Sequence, residues 1–213
     1  FELAYRREGE LVLLMLAGYL EWLGETGADQ DLEVLGAETM VEVALTADVT
    51  LLSKLDAPVR RHSDGAELAL EHKTVGSLEQ PLALLKLDTQ LLTEHLARFL
   101  HLQERGSTAE EAADACHGVL YNMLRKVKRT PAARPPFYGR VDVPHNVHEL
   151  RHHWQHVLAV ARQIQATRAL LDAGESHHVA CPPSPMRSCA WDYDFFKVCV
   201  LAEAVARDRV ADR

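Results

Sequence analysis

Asp56-Ala-Pro-Val-Arg-Arg-His-Ser-Asp-Gly-Ala-Glu-Leu-Ala-Leu-Glu-His-Lys73 reads as strand, turn, strand. Ser63-Asp64-Gly65 supplies the turn: glycine tolerates a positive φ, and the aspartate can hydrogen-bond its own backbone. A turn centred there sets Asp56 opposite Glu71, and directly opposed residues on paired strands hold their Cβ atoms roughly 4.5–5.5 Å apart. Lys73 lies two residues beyond Glu71, so strand alternation turns it to the same face. Two neighbouring carboxylates repel unless a cation sits between them. Mg²⁺ suits such a pair, because it takes few carboxylate oxygens, keeps several waters and accepts phosphate oxygens. A metal so held can polarise a phosphoryl group and help generate hydroxide, and an adjacent lysine can orient that water or stabilise developing charge. The plainer reading is a charged, solvated hairpin face.

Working outward, residues 8–24 place Leu11, Leu14, Met15, Ala17, Leu20 and Leu23 at helical spacing, with Gly24 and Gly27 ending the helix. Residues 33–61 are rich in Val, Leu and Thr, and Met40-Val-Glu-Val-Ala-Leu45 alternates, which predicts two strands. Residues 66–74 form the third, with Leu68 and Leu70 on one face and Glu71 and Lys73 on the other. A long amphipathic helix is expected over 79–104, a short one over 108–116 after Ser107-Thr108, and a strand over 117–128. Thr130–Pro144, with Pro131, Pro135, Pro136 and Pro144, reads as a loop. Helices are expected over 146–173 and, beyond Pro182-Pro-Ser-Pro185, over 191–207.

The chain resembles the PD-(D/E)XK nuclease superfamily, and within it the RecB-like exonucleases found in many actinobacterial phages. The likeness rests on Leu20 and Gly24-Glu-Thr-Gly-Ala-Asp29, on Ala37-Glu-Thr-Met-Val-Glu-Val43, on Lys54-Leu-Asp-Ala57, on Leu70-Glu-His-Lys-Thr74, on Tyr121-Asn-Met-Leu-Arg-Lys126 and on Cys189-Ala-Trp-Asp-Tyr-Asp-Phe-Phe-Lys-Val-Cys199, in that order. The resemblance implies an α/β (α+β) restriction-endonuclease-like core, with a central mixed sheet of four or more strands flanked by helices and a C-terminal helical extension. Helix, three strands, helix, strand is the core order of that superfamily. The resemblance implies that Asp56 and Glu71 bind Mg²⁺ or Mn²⁺ with the backbone carbonyl of His72, that Lys73 assists the nucleophile, and that Gln90 orients substrate or site. RecB-type nucleases often carry Gln-x-x-x-Tyr after the lysine; here Glu94 follows Gln90 at the tyrosine position, and Ser53 stands where a glycine is usual before the aspartate.

At 213 residues, with 47% hydrophobic and 25% charged residues, the chain is expected to fold as a single domain, with a core over about 8–128 and the proline loop and C-terminal helices over 130–207. It begins with Phe1, so a preceding segment is expected to be missing. No apolar run reaches a membrane span. No membrane partner is expected, and the expected location is the cytoplasm. The four cysteines, Cys116, Cys181, Cys189 and Cys199, are expected as reduced thiols. A 4Fe–4S cluster of the type some related nucleases hold is not expected, since Tyr193 occupies the position of its middle cysteine.

Net charge is −8, yet Arg125, Lys126, Lys128, Arg129 and Arg134 concentrate positive charge after the last core strand. They are candidates for gripping DNA phosphates, with edge protection as the alternative; Tyr121 is a candidate for stacking on bases. His148-Glu-Leu-Arg-His152 is a formal HExxH string, the helical spacing of a zinc hydrolase. Three functions are therefore expected in turn: a metal-dependent DNA exonuclease, phage-borne or serving repair and recombination; an inactive nuclease fold that binds nucleic acid or protein; and a zinc hydrolase built on His148 and His152.

Overall fold

The computed structural model describes residues 2–79, 82–130 and 132–182. The chain divides into two compact units, Phe1–Ala161 and Arg162–Arg213. The helix expected over 191–207, with Cys189, Trp191 and Cys199, lies outside the described residues.

The fold is α+β. Helix α1 (Glu2–Thr26) is followed by β1 (Leu32–Val34), β2 (Thr39–Thr46), β3 (Val49–Leu55), β4 (Ala57–Arg61) and β5 (Glu67–Val75). Then come α2 (Leu82–Leu85), α3 (Thr89–Glu104), α4 (Ala109–Ala115), β6 (Cys116–Arg125), β7 (Tyr138–Pro144), α5 (Val147–Asp172) and α6 (His177–Ala180). A mixed five-stranded sheet runs β1-β4-β5-β6-β7, in which β5 and β6 are parallel and the other pairs antiparallel. β2 and β3 form a separate two-stranded ribbon.

The hairpin register matches the turn chemistry. Ala57 pairs with Leu70, Pro58 with Ala69, Val59 with Leu68 and Arg60 with Glu67. Gly65 takes φ +73 at the turn, a conformation that costs glycine nothing, and Asp64 Oδ1 accepts from the Ala66 N–H at 3.0 Å. Period-two alternation then divides β5. Leu68 and Leu70 pack with Val59 and Leu120 on one face, while Ala69 joins Val119, Tyr121, Met123 and Val143 on the other. Leu91 and Ala97 of α3 close this second layer, and Val41, Val43 and Leu55 of the β2–β3 ribbon pack into the same cluster. On the opposite side, Met15 and Tyr19 of α1 pack on Leu124 and Tyr138.

Three expectations are corrected. Residues 33–61 hold four strands, not two, because Asp56 breaks the extended run between β3 and β4. The helix expected over 79–104 is divided, because Asp88 caps a new one: its side chain accepts from the Gln90 N–H at 2.8 Å and from the Leu91 N–H at 3.3 Å. The proline loop contains β7. Pro131, Pro135 and Pro136 precede the strand and Pro144 closes it; from Tyr138 the chain pairs with β6, Val141 opposite Tyr121 and Gly139 opposite Met123. That pairing is close at Gly118, where φ is +147 and an added Cβ would stand 2.4 Å from the Val143 carbonyl oxygen. Replacing the cap, Asp88→Ala, is expected to lower unfolding free energy by about 1 kcal/mol, measured by urea titration.

Candidate active site

The β4–β5 register carries one residue past Ala57 and Leu70 to Asp56 and Glu71. β4 has ended there, so Asp56 takes the place of a ladder partner: its Oδ2 accepts from the His72 N–H at 3.0 Å. In a strand the carbonyl leaves on the same edge as the N–H of its residue, so the His72 carbonyl also faces the Asp56 side. Glu71 is 2% exposed. Its Oε1 lies 2.5 Å from Lys73 Nζ and accepts from Gln90 Nε2 at 2.9 Å. Gln90 in turn accepts from Lys73 Nζ through Oε1 at 2.9 Å and donates from Nε2 to Glu94 Oε1 at 2.8 Å. Thus Asp56, Glu71, Lys73 and Gln90 are brought together, and Glu94 joins them from the next turn of α3.

The electrostatics follow from crowding acids under a helix. Burial pushes the Glu71 carboxyl up, the Lys73 hydrogen bond pulls it back, and the Asp56 charge and hydrogen bond push it up again; the result is a raised pKa. Burial, and then the charge of Glu71, carry Glu94 up to about 8. Its Oε2 has no hydrogen-bond partner among the described residues. For Lys73, burial favours the neutral form, but the hydrogen bond and charge of Glu71, with Glu94 and Asp56 behind it, outweigh that and raise its pKa. Lys73 is therefore a fixed cation at neutral pH.

A network not legible in the sequence supports the Asp56 anchor from the other face of the sheet. Arg140 of β7 donates from Nε to Asn122 Oδ1 at 3.0 Å. It also donates to the Ala28 carbonyl at 2.8 Å, to Asp29 Oδ1 at 2.7 Å and to the Tyr19 hydroxyl at 3.0 Å. Since Oδ1 of Asn122 accepts, its Nδ2 is the donor to His72 Nδ1, 2.9 Å away, which places the His72 proton on Nε2. Burial lowers the His72 pKa, against the pull of Asp56, so the ring is neutral. The residue whose backbone holds Asp56 is thereby locked at its side chain.

The oxygen-only donor set fits a hard divalent cation. Asp56, Glu71 and the His72 carbonyl share one edge, and the crowding that raises both glutamates is what a cation relieves. Among the described residues no group of three or more His, Cys, Asp or Glu is placed to hold a metal ion. Mg²⁺ asks only one or two carboxylates of a protein and takes the rest from water and phosphate.

The remaining candidates are placed differently. Tyr121 is 7% exposed and packs in the core below α3, so its ring presents no stacking face. Arg125 donates to the Arg134 carbonyl at 3.0 Å, bracing the chain between β6 and β7. Arg129 donates to Glu21 at 2.6 Å and lies over the Phe137 and Tyr138 rings, tying α1 to β7. Lys126, Lys128 and Arg134 are exposed, and the segment starts where Arg125 faces Val75, two residues beyond Lys73. Arg98 pairs with Glu67, and Glu38 pairs with Lys54. Cys116 is buried with its thiol pushed up to about 12 by burial, and Cys181 is exposed. No described helix is long and apolar enough to cross a membrane. The chain matches no protein-family model and no curated protein.

Proposed function

We propose that this chain is a divalent-metal-dependent DNA nuclease of the PD-(D/E)XK class, RecB-like, with a restriction-endonuclease-like core. One observation carries the reading: Asp56 and Glu71 face each other where β4 ends, with Lys73 beside Glu71 on the same face. Asp56, Glu71 and the His72 carbonyl would hold Mg²⁺ or Mn²⁺, which when bound supplies Lewis acidity to a phosphodiester and lowers the pKa of water.

The protein side chains supply the rest. Lys73, held by Glu71 and Gln90, would donate as a cation to a phosphate oxygen or to the attacking water, the role that the acids around it favour. Gln90 fixes the lysine and Glu71 in one arrangement, since its amide serves both. Lys126, Lys128 and Arg134 lie exposed beyond the Lys73 end of β5 and would grip the backbone of the bound strand. The direct test is degradation of end-labelled linear DNA in Mg²⁺ or Mn²⁺ against a chelator control. The competing reading, an inactive fold that binds DNA, is favoured by the closure of Lys73 between Glu71 and Gln90. It predicts DNA retention with no metal-dependent cleavage.

A further inference from the structure

Helix α5 carries a second set of chemistry-bearing side chains that phosphodiester hydrolysis leaves unused. His148, His152 and His156 recur every fourth residue, which at 3.6 residues per turn sets them in one row along the helix. All three are exposed. They line a pocket of about 620 Å³ together with His153, Glu149 and Lys86. His153 is buried, with Nε2 2.8 Å from Thr93 Oγ1, and its ring centroid lies 5.9 Å from that of His156.

The glutamate of the HExxH string is committed elsewhere. Asn146 Oδ1 accepts from the His148 N–H at 2.9 Å and the Glu149 N–H at 3.1 Å, while Glu149 Oε2 accepts from the Asn146 N–H at 2.7 Å. This is a reciprocal cap for the start of α5. The other oxygen of Glu149 lies 3.7 Å from Lys86 Nζ, which also occupies the cation an anionic ligand would want. What the pocket offers is a row of imidazoles.

We propose that the His148–His152–His156 row is a binding site for a borderline transition-metal ion such as Zn²⁺, held by His152 and one imidazole a turn away, with water completing the shell. Neighbouring imidazoles at this helical spacing are placed to chelate, and nitrogen donors select zinc-like ions where the oxygen set at Asp56 and Glu71 selects magnesium-like ones. The site binds metal independently of the nuclease reading, and no reaction is assigned to it.

The test is calorimetric titration of Zn²⁺ into the chelator-stripped full chain, prepared without a histidine tag. Stoichiometric uptake is expected. His152→Gln is expected to weaken it by more than roughly tenfold, and either His148→Gln or His156→Gln is expected to do the same, naming the second ligand. Because these residues are exposed, the variants keep the fold, checked by circular dichroism. The titration is run in excess Mg²⁺, so that the oxygen site proposed at Asp56 and Glu71 does not compete for Zn²⁺, and His62→Gln, an exposed histidine in the β4–β5 turn, is expected to leave uptake unchanged. Uptake that survives His152→Gln, or that vanishes in His62→Gln, overturns the assignment.

Discussion

Asp56→Asn is expected to reduce Mg²⁺-dependent DNA cleavage by about 10³-fold or more while leaving the protein folded. The asparagine still offers Oδ1 to the His72 N–H, so the bond that ties the β4 end to β5 is kept. What goes is a negative oxygen at the proposed cation site. Lys73→Ala separates the roles further. Removing the lysine takes away the cation that lies 2.5 Å from Glu71, so the carboxyls gain a reason to bind metal. Cleavage is expected to fall by roughly 10²–10³-fold, with metal affinity retained or raised. Single-turnover cleavage with a parallel Mn²⁺-binding measurement reads both quantities. Cleavage undiminished in either variant would remove these residues from the chemistry. Loss of metal affinity in Lys73→Ala would mean the lysine only holds the site together.

The part of this site legible in the sequence is the part set by local rules. Turn chemistry at Ser63-Asp64-Gly65 fixes one register, and a register fixes every side chain that faces another across the ribbon. That is why Asp56, Glu71 and Lys73 meet as expected. The division at Asp88 was also open to reading, since aspartate ahead of Thr-Gln-Leu is a cap signal. β7 escaped because four prolines in fifteen residues suggest a loop, although Arg140-Val-Asp-Val143 alternates between Pro136 and Pro144. Arg140 and Asn122 could not have been found by pattern. They are eighteen residues apart and become partners only because β7 pairs with β6. Arg129 shows what composition leaves out: a cluster of like charges suggests a phosphate grip, while the fold sets this guanidinium against Glu21 and two aromatic rings.

Glu94, where the resembled enzymes often have tyrosine, is expected to make the metal-free protein less stable as pH rises, and Glu94→Gln to remove most of that loss. The side chain is 3% exposed. One oxygen accepts from Gln90, and the other has no partner among the described residues. Burial and the charge of Glu71 raise its pKa from 4.5 to about 8. Between those values the folded chain keeps a proton that the unfolded chain has released. Stability then falls with increasing pH, by roughly 1.4 kcal/mol per pH unit for a single group, a few kcal/mol over the window. The loss begins above the unfolded pKa and levels off once pH passes the folded one. Glutamine keeps the acceptor for Gln90 and cannot ionise, so the variant is expected to be the more stable form at alkaline pH and nearly equal to the parent in mild acid. Urea titrations in chelator across this range measure the difference in slope. Parallel curves for the parent and Glu94→Gln would mean that water or a neighbouring cation already compensates the carboxylate, and that Glu94 is ionised in the folded protein.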